Sequence, residues 1–186
     1  MDRNIKIAGF TGSLRKDSYN KSALRAAVDL LPEDASLEIV DISALPFFNE
    51  DVERVGLPPE VRQFKNSLKK CDAILIATPE YNYSLPPVLK NALDWASRGE
   101  ELPLYSKPLA IMSASPGMFG GARVQYHLRQ VCVTLNLIPV SKPEVFIMKA
   151  ADKFDENGNL TDEYTKKAIK KLLLSLVDFT RVLKNK

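Results

Sequence analysis

Three short stretches of the 186-residue chain gather side chains suited to holding a small, planar, anionic molecule. The first, Gly12-Ser13-Leu14-Arg15-Lys16-Asp17-Ser18-Tyr19-Asn20, follows an apolar run and precedes a helical pattern. Short hydroxyl and amide side chains with an arginine at a helix start set free N–H groups and the positive end of the helix dipole against an anion, and a monophosphate suits them. The plainer reading of the same residues makes Ser18 a helix cap and leaves Arg15 solvated. The second stretch, Pro79-Glu80-Tyr81-Asn82-Tyr83-Ser84-Leu85-Pro86-Pro87, sets two tyrosines around an asparagine between prolines. Such a segment offers a flat apolar wall and backbone donors to a hydrogen-bonding heterocycle, and Pro87 fits the first turn of the helix that follows. The third, Ser113-Ala114-Ser115-Pro116-Gly117-Met118-Phe119-Gly120-Gly121-Ala122-Arg123, has glycines that let backbone come close to a ligand.

Other chemistries do not fit. A dinucleotide fingerprint counted from Gly9 needs glycines where Thr11 and Leu14 stand, and a Walker A loop is refused by Arg15-Lys16-Asp17. His127, the only histidine, lies within a helical pattern and reads as a surface or interface residue; no Gly-x-Ser-x-Gly elbow accompanies it to make a hydrolase. Around Gly158 an EF-hand would put Lys153 and Tyr164 where acidic ligands belong, so a β-turn is expected and no metal site is assigned. Cys71 and Cys132 sit in apolar surroundings and read as reduced and structural.

The elements that must position these stretches follow from periodicity. Apolar runs of strand length at 5–10, 37–42, 73–78, 109–113 and 145–148 alternate with helical patterns at 21–31, 60–70, 87–97, 123–135 and 162–183. Strict alternation is the mark of βαβ units and a parallel sheet between helical layers, a doubly wound α/β fold. Ligands of such sheets bind beyond the carboxyl ends of the strands, which puts the loops after the first, third and fourth strands in one crevice. The Pro-rich piece 45–59 reads as a surface connection of a length that can also line a site. In the last helix Ile169, Leu172, Leu173, Leu176 and Leu183 form a stripe to cover the sheet, and Thr161 is the expected N-cap. With 45% hydrophobic and 26% charged residues the chain is ordinary globular material. Its net charge of +3 comes from interleaved charges, not a basic stripe, so no nucleic-acid partner is expected. The start MDRNIKIAGF is neither a secretory nor a transit signal, and no apolar run reaches membrane-span length, which together lead to the expectation of a cytoplasmic protein without a membrane partner.

GSLRKDSYN, PEYNYSLPPVLKNALDWASR and SPGMFGGARVQYHLRQ together resemble the NAD(P)H-dependent FMN reductase family, in particular its quinone and chromate reductase branch, over nearly the whole chain. The resemblance implies a flavodoxin-like three-layer α/β/α sandwich, a single FMN-binding domain over 1–186 with a five-stranded parallel sheet of order 2-1-3-4-5. It also implies non-covalent FMN, NADPH or NADH as transient hydride donor, and two-electron ping-pong reduction of a small-molecule acceptor such as a quinone, chromate, an azo compound or free flavin. A homodimer or homotetramer belongs to the same expectation. Carried over by motif, Ser13, Arg15, Ser18 and Asn20 would hold the FMN phosphate in a loop that includes Leu14. Pro79, Glu80, Tyr81, Asn82 and Tyr83 would line the isoalloxazine and ribitol with Ser84 beside them, and Ser115 and Gly117 would close over the other side of the ring. With the chemistry at flavin N5, no obligate catalytic side chain is expected. The family commonly has Pro-Gly where this chain has Pro86-Pro87, which would stiffen the start of the next helix and alter access to the flavin. The rival reading, a flavodoxin-type electron carrier without its own NAD(P)H turnover, is disfavoured by the basic charge balance, since such carriers are acidic at their docking face.

Overall fold

Strands covered by helices on both faces need apolar side chains in both directions. In the computed structural model, which describes residues 4–185, β3 (Ala73–Thr78) meets that demand along its whole length. Ala73, Leu75 and Ala77 join one apolar cluster while Ile74 and Ile76 join the other. The first cluster is filled by α1 (Tyr19–Asp29) and α6 (Glu163–Lys184), through residues such as Leu24, Ile169 and Leu173. Onto the opposite face pack α3 (Pro59–Lys70), α4 (Pro87–Ala96) and α5 (Ala122–Leu135), bringing Phe64, Leu68, Leu89, Leu93 and Leu128. The result is the α/β/α sandwich expected from the alternation.

The parallel sheet runs β2 (Ala35–Ile39), β1 (Ile5–Thr11), β3, β4 (Pro108–Ala114), then β5 (Ile138–Pro139). This is the flavodoxin-like order, with one refinement at its edge. The fifth position is shared: β5 pairs with the beginning of β4, and β6 (Val145–Ile147), the run expected as the fifth strand, pairs with its end. The second strand begins and ends earlier than its apolar run suggests. Its ladder with β1 stops at Gly9↔Ile39, and Val40 and Ile42 are buried beyond it, packed into the α3 and α4 face without being strand. A Cβ on Gly9 would stand 2.8 Å from Leu37 Cδ1 and 2.9 Å from Leu24 Cδ1, so those two leucine side chains would have to give way to a larger residue.

The Pro-rich connection is more ordered than a surface loop. It contains a short helix, α2 (Glu50–Val55), which buries none of its residues and so left no periodic signal; Asn49 caps it by accepting from the Asp51 N–H at 2.8 Å. The stretch before α2 is bound to α4. The Pro46 carbonyl accepts from Asn91 Nδ2 (2.9 Å) and from the fully buried Trp95 indole N–H (2.7 Å), and the Phe48 N–H donates to Asn91 Oδ1 (2.7 Å). The Phe48 ring meets Trp95 edge-on at 5.0 Å, with the Arg98 guanidinium 5.1 Å over its other side. Among the described residues no helix is long and apolar enough to cross a membrane.

The last helix is capped by Asp162 and not by Thr161. The Thr161 N–H and hydroxyl both go to the Lys153 carbonyl, closing the 153–161 turn, which leaves the next residue to accept from the Thr165 N–H at 2.8 Å. Within that turn the Gly158 N–H donates to the Asp155 carbonyl (2.9 Å), the expected β-turn, and the Asp155 carboxylate also accepts from the N–H groups of Asn157 and Asn159. Both cysteines are buried, and burial pushes the Cys132 thiol up to about 12. The Asp162 carboxyl goes the other way, from 3.8 to about 2, held there by the Thr165 hydroxyl, the Lys153 ammonium and the Thr165 N–H. A depressed folded-state pKa gives stability that is present above the unfolded value of 3.8 and is lost as pH falls through about 2. In thermal melts between about pH 5 and about pH 2, Asp162→Asn is therefore expected to lose less stability on acidification than the parent; equal slopes refute the cap's part in acid sensitivity.

Candidate functional site

The crevice is set by strand endings. In register, Thr11 of β1 stands beside Ala77 of β3, and Thr78 of β3 beside Ser113 of β4, so the three loops leave the sheet at nearly one level. The first turns tightly against the second. The Gly12 N–H donates to the Ala77 carbonyl (3.1 Å), and a Cβ on Gly12 would stand 2.8 Å from Thr78 Oγ1 and 3.1 Å from Pro86 Cγ.

Along the first loop Ser13 and Ser18 are buried, while Leu14 and Arg15 are exposed. Ser18 Oγ accepts from the Lys21 N–H at 3.4 Å and so caps α1, a bond that leaves its own O–H free to donate elsewhere. Capping and ligand binding are thus not alternatives for this residue. Asn20 lies beneath the loop. Its Nδ2 donates to the Ala114 carbonyl (3.0 Å) and its Oδ1 accepts from the Ala114 N–H (2.8 Å), tying α1 to the end of β4 with one amide hydrogen left over.

The second loop is a two-residue hairpin. Tyr81 and Ser84 exchange N–H···O bonds of 3.0 and 2.9 Å around Asn82 and Tyr83, which have φ of 48° and 68°. Two positive φ values make a type I′ turn, whose preferred second residue is glycine. A tyrosine there holds strain of order 1–3 kcal/mol that the surroundings must balance. The N–H groups of Asn82 and Tyr83 meet no acceptor among the described residues. On the helix side an apolar cleft of about 340 Å³ runs past Leu14, Phe47, Tyr81, Pro86, Pro87 and Val88; Phe47 is 79% exposed although its backbone neighbours are anchored.

Glu80 lies just before the turn and is bonded to the amino end of α5. Its Oε2 accepts from the N–H groups of Arg123 (3.0 Å) and Val124 (3.2 Å), and its Oε1 accepts from the Arg123 guanidinium (3.2 Å). That guanidinium is stacked between the rings of Tyr83 (4.1 Å) and Phe119 (4.2 Å). On the turn's other shoulder Ser84 Oγ and His127 Nδ1 are 2.9 Å apart, which puts the histidine at the surface, as its position suggested.

The third loop depends on glycine. Gly120 and Gly121 have φ of 57° and 81°, and a Cβ on Gly121 would lie 2.7 Å from that of Ser113. Ser113 Oγ donates to the Gly120 carbonyl (2.6 Å) and accepts from Gln125 Nε2 (2.8 Å), fixing the loop from below. Ser115 Oγ accepts from the Gly117 N–H (3.1 Å), and the backbone of both is bonded to the segment after β6 through the Ala150 and Lys149 N–H groups.

A family model described as NADPH-dependent FMN reductase matches residues 5–152, the span that holds the sheet and all three loops. The chain belongs to that family. Among curated members, an NAD(P)H-dependent FMN reductase of Pseudomonas aeruginosa is 49% identical over 184 residues, covering 99% of this chain and all of the relative. An NADPH:quinone oxidoreductase of Arabidopsis thaliana is 47% identical over 188 residues, with 98% and 95% covered. Among solved structures, the flavoenzyme NAD(P)H:(acceptor) oxidoreductase FerB of Paracoccus denitrificans superposes with a TM-score of 0.87 at 32% identity, covering 96% of this chain and 98% of that one. The protein is an FMN reductase-type oxidoreductase of the quinone reductase branch, with the flavodoxin-like fold.

All three loops expected from the sequence border the crevice; the third stretch contains Ser113, Phe119 and Arg123 without distinguishing their roles, and Gln125 beneath it carries no signal in the sequence. The one available hint was Arg123's place just after Gly121 at a helix start. Gly121→Ala is expected to cost roughly 2–4 kcal/mol, from left-handed backbone and overpacking against Ser113 together. Urea unfolding measures it, and a loss under about 0.5 kcal/mol, the size of a neutral surface change, contradicts the close approach.

Proposed function

We propose that the three loops hold FMN without a covalent bond, in one FMN-binding domain spanning 1–186, and that the protein passes two electrons from NADPH or NADH to a small-molecule acceptor. One observation carries the reading: on a single sheet edge an anion-suited loop adjoins a turn whose two N–H groups have no acceptor within the described chain. The donor set suits FMN. Ser13 and Ser18 hydroxyls, the Arg15 guanidinium and the amino end of α1 match a phosphate, with Asn20 holding the loop to β4 and offering its remaining amide hydrogen. Pro79, Tyr81, Asn82, Tyr83 and Ser84 form the ring-facing turn, and Ser115 and Gly117 the opposing wall.

When bound, FMN would supply the redox chemistry, two-electron transfer from NADPH or NADH to a quinone, free flavin, azo compound or chromate in ping-pong order. The chain's part is binding and electrostatics. Preorganised N–H groups of Asn82 and Tyr83 favour negative charge at the ring edge they face, as amides in an oxyanion hole do. The apolar cleft beside Tyr81 suits a flat acceptor, with Pro86 and Pro87 as a stiff wall in place of a flexible glycine. Tyr83, Met118 and Phe119 are exposed beside the crevice, apolar surface that a second copy in a homodimer or homotetramer would cover. A cytoplasmic location belongs to the same reading.

The test is the visible spectrum of FMN-reconstituted protein during anaerobic addition of NADPH. Bleaching, then recovery on adding a quinone, is expected; a flavin that binds and stays yellow moves the reading to an electron carrier. Arg15→Ala is expected to weaken FMN binding about 10- to 100-fold, the worth of a charge-assisted hydrogen bond, and to leave riboflavin binding unchanged. Equal losses for both ligands would remove Arg15 from the phosphate site.

A further inference from the structure

Helix α5 begins with an unusual N-terminus. Its N-cap is Gly121, which has no side chain to accept from the first-turn N–H groups, so those of Arg123 and Val124 are satisfied by a carboxylate 43 and 44 residues earlier in the chain. That carboxylate, Glu80, immediately precedes the I′ turn, and the guanidinium it binds lies against the ring of Tyr83, the residue in the less tolerated left-handed conformation. The same guanidinium rests on Phe119 of the Gly-rich loop, and Ser84 reaches His127 one turn further along α5. Both shoulders of the turn are thus fastened to one helix, and the central ring is braced by that helix's first arginine.

From this we infer that Glu80 is a positioning residue, not a flavin contact: it makes the 81–84 turn and the Gly-rich loop leading into α5 a single body, so that the two walls of the cofactor crevice keep their spacing and open together. The Glu80 side chain is 13% exposed, and both its carboxylate oxygens are engaged by the amino end of α5. The coupling stands on these bonds alone. Its consequence for the cofactor rests on the FMN reading above.

Hydrogen exchange of the flavin-free protein separates the two. In Glu80→Ala the N–H groups of Tyr81 and Ser84, bonded only across the turn, and those of Arg123 and Val124 are expected to lose protection together, at least about tenfold, the effect of removing a charged acceptor. Glu80→Gln keeps one acceptor at the helix end but not the ion pair, and gives a smaller loss in the same two segments; it carries the test if the alanine variant does not fold. With FMN, the Glu80 variants are expected to bind about tenfold more weakly and to shift the reduction potential of the bound flavin. Asp34→Asn, which breaks an ion pair to Arg181 at the amino end of β2, the opposite end of the sheet from the crevice, leaves both unchanged.

Loss of protection confined to Arg123 and Val124 makes Glu80 a helix cap only and overturns the inference. Weaker FMN binding with unchanged exchange in both segments overturns it as well, because Glu80 would then touch the flavin itself. If the parent protein binds no FMN, the cofactor reading fails, and the exchange pattern still decides whether the two walls are coupled.

Discussion

The structure turns on the register of three adjacent parallel strands. Burial on both faces fixes that register, since a slip of one residue in β3 would exchange Ala73, Leu75 and Ala77 for Ile74 and Ile76 across the two cores. Once β1, β3 and β4 are locked side by side, their loops have no freedom to separate. The Gly12 N–H bonds to Ala77 on the neighbouring strand, and Asn20 reaches across to both backbone groups of Ala114.

Much of this architecture is legible in the chain, for a physical reason. A fully buried parallel strand such as β3 is an unbroken apolar run with the same bounds in sequence and structure. Legibility fails where burial and pairing part company. Val40 and Ile42 are apolar because they cover a helix layer, not because they are in the sheet, and α2 is a helix that buries nothing. At the site the limit is different. The types of Glu80 and Asn20 suit a ligand-binding loop, yet their polar atoms are engaged by protein groups 43 to 94 residues away. A carboxylate or amide beside a turn reads the same from the sequence whether it faces a ligand or a second loop.

Backbone strain follows the same division. Among the described non-glycine residues with positive φ, Asn82, Tyr83 and Lys149 belong to the loops and the segment around the crevice. Ser106 and Asn136 lie at the amino end of β4, where the Ser106 N–H bonds the Asn136 carbonyl and Asn136 Nδ2 bonds the Ser106 hydroxyl, a local helix ending that compensates itself. Around the crevice compensation comes instead from other elements, as the stacked guanidinium beneath Tyr83 illustrates. Left-handed residues braced from outside are the preorganised kind that binding sites retain.

The chain has one tryptophan, and it is the residue whose indole N–H holds the Pro46 carbonyl. Its emission is therefore a native optical probe of whether the 45–59 segment is docked on α4. A sealed indole emits at shorter wavelength than a wet one, so undocking would red-shift the signal even if the sheet stayed intact. Docking of the loop that presents Phe47 to the cleft thus has a native reporter on α4, one that needs no added dye and no substitution.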